Sequence, residues 1–177
     1  EVCEDILTWT EKGIEDFVSK AQYERIEHKN QVINDILDNW ITLSQNFKFH
    51  AIFATSSIPE AIEYYRLLKV KIQEKNLDLK FTALFDSNID NDDGAKSAFK
   101  EDGIVEIMED YNKRYEQDFS LKIFSKFKKD IASRLAHKKQ YNYIEKNPEK
   151  DIDLLIVVDQ MLTGFDSKWI NTLYLDK

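Results

Sequence analysis

The stretch that decides the fold is LLIVVDQMLTGFDSKWINTLYLDK, residues 154–177. It sets two apolar runs, LLIVV and TLYL, on either side of a polar step that contains Thr163, Gly164 and Asp166. A run such as LLIVV, which is apolar without alternation, predicts a strand that is covered on both faces, as in a parallel sheet between helices. The stretch therefore predicts a third strand at 152–158 and a fourth at 172–177, with a polar loop between them.

Upstream of that stretch, the hydrophobic pattern alternates between helices and strands. Apolar residues at gaps of three and four predict a helix within residues 23–45, and β-type runs predict strands at 47–57 and 77–85. Between these two strands, Ser57 and Glu60 have the spacing of a capping box, and a helical pattern follows them. A strand, a helix and a strand in this order predict a parallel βαβ unit with a right-handed crossover, and hence an α/β fold.

The pattern divides the chain into a connector and one domain. We predict a connecting helical segment at residues 1–22 and a single α/β domain at residues 23–177, with a helical insertion at about 86–148. A length of 177 residues is ordinary for one domain. Because the chain lacks an initiator methionine and stops directly after a predicted strand, we expect it to be a fragment that is truncated at its C-terminus.

The composition favours a soluble, cytoplasmic protein. The single cysteine, Cys3, cannot pair within the chain, and a lone cysteine is typical of a reducing compartment. The N-terminus has neither the basic nor the apolar region of a signal peptide. The longest apolar runs are far shorter than the roughly 20 residues that cross a bilayer, so we predict no membrane association.

The net charge of −8 would argue against a nucleic-acid partner, but the charge is unevenly distributed along the chain. Residues 86–110 carry nine acidic and two basic side chains, whereas residues 113–139 carry nine basic and three acidic ones. This division is compatible with a basic face that touches an anion and equally with two solvated helical faces of opposite sign. The aromatic residues within the basic segment have helical spacing, which favours a core role over a DNA-facing one: Tyr115, Phe119, Phe124 and Phe127.

Two polar segments follow predicted strands at their carboxyl ends, where open parallel sheets bind their ligands. Residues 54–57 follow the first strand and residues 162–167 follow the third, and both segments could hold phosphate. Gly164 allows a backbone to approach a ligand closely. Thr163 and Asp166 offer a hydroxyl and an acceptor, although spacing alone favours turn or helix-cap roles for these two residues.

The spacing of potential ligands does not indicate a metal site. An EF-hand loop that started at Asp90 would place Gly94 at its fifth position, where the sharp turn requires glycine at the sixth. His28, His50 and His137 lack the spacing of zinc ligands. We therefore predict packed or solvent-facing roles for the histidines and no metal site.

The quoted stretch resembles the motif region in the second RecA-like domain of the restriction (motor) subunit of type I restriction-modification enzymes, a superfamily 2 translocase. The resemblance extends upstream to FHAIFATSSIPEAIEYY and FSKFKKDIASRLAHKK, and it covers roughly residues 25–177. One departure is visible: many members have Ala-Pro after the aspartate, whereas this chain has Ser167 and Lys168. The resemblance implies a RecA-like parallel sheet flanked by helices.

The resemblance also implies roles for the polar residues. In such motors two RecA-like lobes enclose ATP, and their closure moves the subunit along duplex DNA. Thr55, Ser56 and Thr163 match positions that are expected to touch DNA. Gly164 and Asp166 match positions that sense the nucleotide.

The resemblance further implies cofactors and partners for the full-length subunit. The cofactors are ATP and Mg²⁺, and the partners are double-stranded DNA, the modification and specificity subunits, and the first RecA-like lobe of the same chain. The four glycines of this sequence do not form the phosphate-binding loop G-x-x-x-x-G-K-[ST]. We therefore expect no catalytic residue here, no cofactor bound to this chain by itself, and no activity of the chain alone.

Two alternatives to this function stay open at the level of sequence. The chain could be a non-enzymatic module whose acidic and basic segments dock protein partners. It could also be the motor lobe of another superfamily 2 helicase.

Overall fold

A parallel sheet forms the centre of the fold in the computed structural model, which describes residues 25–85, 94–158 and 167–176, with the backbone alone for 94–98. The described residues form four strands in the order β2-β3-β1-β4, and each neighbouring pair is parallel. The strands are β1 (His50–Thr55), β2 (Phe81–Leu84), β3 (Leu154–Val158) and β4 (Ile170–Leu175). The predicted α/β fold is confirmed, and the architecture is consistent with a RecA-like fold.

Helices flank this sheet. They are α1 (Ile26–Leu43), α2 (Ile58–Glu74), α3 (Gly94–Tyr115) and α4 (Phe124–Leu135), with short 3₁₀ helices at Leu121–Ile123, Lys139–Tyr141, Ile144–Lys146 and Pro148–Lys150. The helix predicted within residues 23–45 is therefore confirmed as α1. None of the helices in the described ranges is long and apolar enough to cross a membrane.

The strand β3 lies in the interior of the sheet, between β2 and β1. All five of its residues are buried, as the continuous LLIVV run predicts for a strand covered on both faces. In β4 the exposure alternates instead, with Leu173 51% and Leu175 63% exposed on one face. The two apolar runs of the quoted stretch are both strands, but β4 is covered much less completely.

The charged segment between β2 and β3 contributes to the same core as the sheet. Tyr115 and Phe127 are buried, and Phe119 and Phe124 pack against the core while partly exposed. The ring of Tyr111 makes an edge contact with the ring of Phe127, with centroids 5.0 Å apart. The core role predicted for the aromatic residues is confirmed, whereas the boundaries of the insertion at 86–148 stay a prediction.

A buried ion pair between Arg134 and Asp130 also stabilises this segment. Arg134 is one of the nine basic residues at 113–139 that could have formed an anion-binding face. Arg134 is 2% exposed, and its Nε lies 3.0 Å from Oδ2 of Asp130. The hydroxyls of Tyr111 and Tyr141 each donate a 2.6 Å hydrogen bond to the Asp130 carboxylate. The guanidinium lies 4.0 Å above the ring of Tyr115, so Arg134 is a core residue rather than a surface cation.

The Ser57 side chain caps the N-terminus of α2, and Ser57→Ala tests this cap. The Ser57 hydroxyl accepts a 3.4 Å hydrogen bond from the Glu60 amide, as the capping-box spacing predicts. Because Ser57→Ala leaves that amide without this acceptor, we expect it to lower the free energy of unfolding by about 1 kcal/mol. Urea unfolding followed by circular dichroism measures the change. Ser120→Ala is the control, since Ser120 is exposed and makes no side-chain cap; equal losses in both variants would contradict the capping role.

Candidate functional site at the carboxyl edge of the sheet

The candidate site begins where β1 and β3 end. These strands are adjacent and parallel, and Thr55 lies opposite Val158 in their register. The last residues of β1 and β3 therefore lie side by side at the carboxyl edge of the sheet. The ends of the two strands that precede the predicted polar segments are thus neighbours, and open parallel sheets bind their ligands at this edge.

Three of the predicted site residues lie outside the described residues. They are Thr163, with a predicted DNA contact, and Gly164 and Asp166, with predicted nucleotide-sensing roles. Those roles stay predictions. The described chain resumes at Ser167, whose hydroxyl donates a 2.9 Å hydrogen bond to the Leu135 carbonyl at the end of α4. Ser167, which departs from the family pattern, therefore connects the start of this described segment to the end of α4.

Thr55 and Ser56 differ sharply in exposure, although the family resemblance implies a DNA contact for both. Thr55 is fully buried, and its hydroxyl lies 3.2 Å from the Val157 carbonyl and 3.3 Å from the Ser57 carbonyl. A DNA contact through this side chain would require the hydroxyl to leave both carbonyls. The predicted DNA-binding role of Thr55 therefore has no structural support from its side chain and stays a prediction.

Ser56 is the accessible hydroxyl of the pair. It is exposed, and it donates a hydrogen bond to the carboxylate of Glu60 in the first turn of α2. The partial positive charge at the N-terminus of a helix favours an anion, although in α2 Ser57 already caps the Glu60 amide and Pro59 has no amide hydrogen. Ser56 lies next to that end of α2, where a phosphate contact requires its hydroxyl to leave the Glu60 carboxylate.

A third polar group lies at the same edge, at the end of β4. The amide of Asp176 donates a 3.0 Å hydrogen bond to the Ala54 carbonyl. Its carboxylate accepts a hydrogen bond from the Tyr64 hydroxyl and lies 3.2 Å from Nε2 of His28. Burial raises the pKa of the Tyr64 hydroxyl, and the Asp176 hydrogen bond adds to the increase, so the hydroxyl remains a donor.

The sequence patterns predict no role at this edge for Asp176, Tyr64 or His28. The signal for Asp176 was available, because this aspartate directly follows a predicted strand in the same way as the other polar segments. Tyr64 and His28 lie on helices, and no local pattern connects them with the end of β4.

The other two histidines meet at the opposite edge of the sheet. His50 is the first residue of β1, and its Nε2 atom lies 2.8 Å from Nε2 of His137. Both side chains are buried and therefore do not face solvent. Asp151 lies beside them, with its carboxylate oxygens 3.6 Å from the two Nε2 atoms. Because 87 residues separate the histidines, their spacing in the sequence gives no sign of this cluster.

Comparison with known proteins supports the resemblance seen in the sequence. Residues 47–177 match the family described as Type I restriction enzyme subunit R domain 3. The chain belongs to this family. Membership of the subunit R domain 3 family confirms the resemblance that the LTGFD and TLYLDK motifs indicate.

Curated relatives of this subunit R domain are endonuclease subunits. The chain is 33% identical over 153 residues to the endonuclease subunit of type I restriction enzyme SauCOLORF180P from Staphylococcus aureus (strain COL), which covers 82% of this chain and 15% of that protein. It is 29% identical over 177 residues to the SsaAORF53P endonuclease subunit from Staphylococcus saprophyticus, which covers 98% of this chain and 18% of that protein. The chain thus spans less than a fifth of the length of these relatives.

Proposed function

We propose that the chain is part of an ATP-dependent subunit that translocates and cleaves DNA in a type I restriction endonuclease, and that it forms one side of the cleft between two RecA-like lobes. The observation that carries this proposal is that a chain of the subunit R domain 3 family has β1 and β3 ending side by side. Open parallel sheets bind ligands at that edge. The edge is therefore where the chain faces DNA and nucleotide.

The residues at this edge divide between the two ligands. Ser56 and Thr163 contact the DNA backbone, with Ser56 supported by its exposure beside the N-terminus of α2. Gly164 and Asp166 sense the nucleotide. Contacts to phosphate carry no sequence information, which suits a motor that must move through any sequence.

Other parts of the enzyme complete the site. ATP and Mg²⁺ bind to the full-length subunit, where the first RecA-like lobe supplies the phosphate-binding loop that the four glycines of this chain do not form. Double-stranded DNA and the modification and specificity subunits are the remaining partners in the cytoplasm. The 177-residue chain alone is inactive, since it holds half of the cleft.

Alanine variants of the intact subunit test these roles. We expect Ser56→Ala and Thr163→Ala each to weaken duplex binding by roughly 3- to 10-fold, the equivalent of one hydrogen bond, and to slow translocation. Asp166→Ala should slow DNA-dependent ATP hydrolysis while duplex affinity is retained. Fluorescence anisotropy on a labelled duplex, triplex displacement and phosphate release measure binding, translocation and hydrolysis.

Ser120→Ala is the matched control, because Ser120 is an exposed serine of the segment between α3 and α4. Translocation that is unchanged in every variant would remove these residues from the mechanism. Tight association with proteins, combined with indifference to DNA, would favour the non-enzymatic interaction module instead.

A further inference from the structure

The buried cluster of His50, His137 and Asp151 lies where the end of α4 meets the beginnings of β1 and β3. His50 begins β1, His137 lies two residues beyond the end of α4, and Asp151 lies three residues before β3. The cluster is therefore at the amino edge of the sheet, away from Ser56 at the carboxyl edge. The proposed DNA and nucleotide contacts do not use it.

The distances within the cluster are close to those of a metal site. The two Nε2 atoms lie 2.8 Å apart. Oδ1 of Asp151 lies 3.6 Å from Nε2 of His50, and Oδ2 lies 3.6 Å from Nε2 of His137. Ligands of a tetrahedral Zn²⁺ ion at its usual bond lengths are about 3.3 Å from one another. One ligand atom from each of the three residues lies within 4.8 Å of the others. A shared ion would require the imidazoles to separate by about half an ångström and the Asp151 carboxylate to turn one oxygen toward both rings.

The protonation state of the His50 ring suits a cation as well. Burial lowers the pKa of His50 to about 4, against the opposing attraction of Asp151, so this ring is neutral at physiological pH. A neutral imidazole is the form that binds metal. The nearby Lys80 is balanced by Asp153, whose Oδ2 atom lies 2.9 Å from the Lys80 Nζ atom.

Hydrogen bonding within the described part of the protein leaves the Nδ1 atom of each ring unpaired, and Nδ1 is the atom that carries the proton when Nε2 binds a metal ion. In the pair of histidines one Nε2 donates and the other accepts. The Nδ1 atoms of both rings are buried without a hydrogen-bond partner among the described residues. Buried polar atoms are rarely left unpaired. Oε2 of Glu145 lies 3.8 Å from Nδ1 of His137. A small movement of the Glu145 side chain would let it accept a hydrogen bond from Nδ1 when that atom carries the proton.

The backbone also holds His137 in an unusual position. Its φ is 48°, in the left-handed region that favours glycine or asparagine. The His137 amide bonds to the Arg134 carbonyl and the Lys138 amide to the Ser133 carbonyl, which is the Schellman arrangement at the end of a helix. The ring of Trp169 stacks on His137 with centroids 4.3 Å apart and shields it from water. The histidine therefore occupies a position that the helix ending alone would give to glycine.

We propose that His50, His137 and Asp151 form a binding site for a divalent transition-metal ion, with Zn²⁺ as the ion that best suits the three ligands. Two imidazole nitrogens and one carboxylate favour Zn²⁺ over Mg²⁺, which prefers oxygen ligands. Water supplies the fourth ligand. Glu145 accepts a hydrogen bond from His137 and orients it, as carboxylates commonly do for metal-binding histidines. The ion fastens the end of α4 to the amino edge of the sheet.

Zinc binding by the intact protein tests the site. Isothermal titration should find one equivalent of Zn²⁺ that a large excess of Mg²⁺ does not displace. Zn²⁺ at about 100 times its dissociation constant should raise Tm by roughly 5 to 10 °C, because the folded state alone holds the site. His137→Asn should lose this equivalent, and asparagine is tolerated at the positive φ. Asp151→Asn should weaken binding by more than about 10-fold.

The control is His28→Gln, which removes a histidine at the opposite edge of the sheet and should retain the full stoichiometry. Zinc binding that is as tight in His137→Asn as in His28→Gln, or a protein that takes up no zinc, would overturn the proposal. If the ligand variants do not fold, X-ray absorption at the zinc edge of the unsubstituted protein decides. Two imidazole nitrogens with oxygen ligands support the site, and coordination without histidine rules it out.

Discussion

Asp130→Ala is expected to lower the free energy of unfolding by about 3 to 5 kcal/mol, the cost of removing one partner from a buried ion pair. The substitution leaves the guanidinium of Arg134 buried without its counter-charge, and it deprives the hydroxyls of Tyr111 and Tyr141 of their acceptor. The expected fall in Tm is roughly 10 °C. Thermal and urea unfolding followed by circular dichroism measure both quantities.

Two further variants separate the ion pair from the general effect of substitution. Asp118→Ala removes an exposed carboxylate from the same segment and should change stability by less than about 0.5 kcal/mol. Tyr141→Phe removes one hydrogen bond to Asp130 and should cost about 1 kcal/mol. A loss in Asp130→Ala no larger than that in Tyr141→Phe would show that the charge of Asp130 is unimportant.

Gly103→Ala is expected to destabilise the protein by about 1 to 3 kcal/mol, the usual cost of overpacking. At an exposed helical position the same change would instead stabilise by about 1 kcal/mol. Here α3 lies so close to α2 that a Cβ atom on Gly103 would overlap Cδ1 of Ile62 and lie 2.7 Å from its Cγ1 atom. Ile62 is fully buried, so its side chain has little room to move. Urea unfolding measures the loss.

A double-mutant cycle with Ile62→Ala tests the cause of that loss. Ile62→Ala alone should cost about 2 to 5 kcal/mol because it leaves a cavity. In the Ile62→Ala background, however, Gly103→Ala should be neutral or stabilising, since the new methyl group enters space that the isoleucine has left. Coupling of about 1 to 3 kcal/mol is therefore expected. The same cost in both backgrounds would locate the strain elsewhere.

Local patterns account for most of the elements. The helical period within residues 23–45 predicts α1, the capping box predicts the start of α2, and the LLIVV run predicts β3. The predicted strand at 77–85 is longer than β2, which begins at Phe81. Just before it, the Lys80 amide bonds to the Asp153 side chain rather than to a neighbouring strand. Hydrophobicity defines the run but not the residue at which pairing starts.

Long-range relations could not be obtained from the sequence in the same way. The strand β3 is third along the chain but lies between β1 and β2, and no local signal encodes this order. The carboxyl edge could be anticipated, because parallel strands place their ends together. The burial of Thr55 could not, since it depends on the pairing of β1 with β3. The burial of Arg134 and the meeting of His50 with His137 likewise require the folded chain.

The incomplete covering of β4 has a practical consequence for work in solution. Leu173 and Leu175 are exposed on one face of β4, which is an edge strand of the described sheet. Exposed apolar side chains and an unpaired strand edge both favour association with another chain. Concentrated samples of the 177-residue chain should therefore tend to self-associate through β4. Apparent stoichiometries are safest when measured at low concentration or in the longer protein.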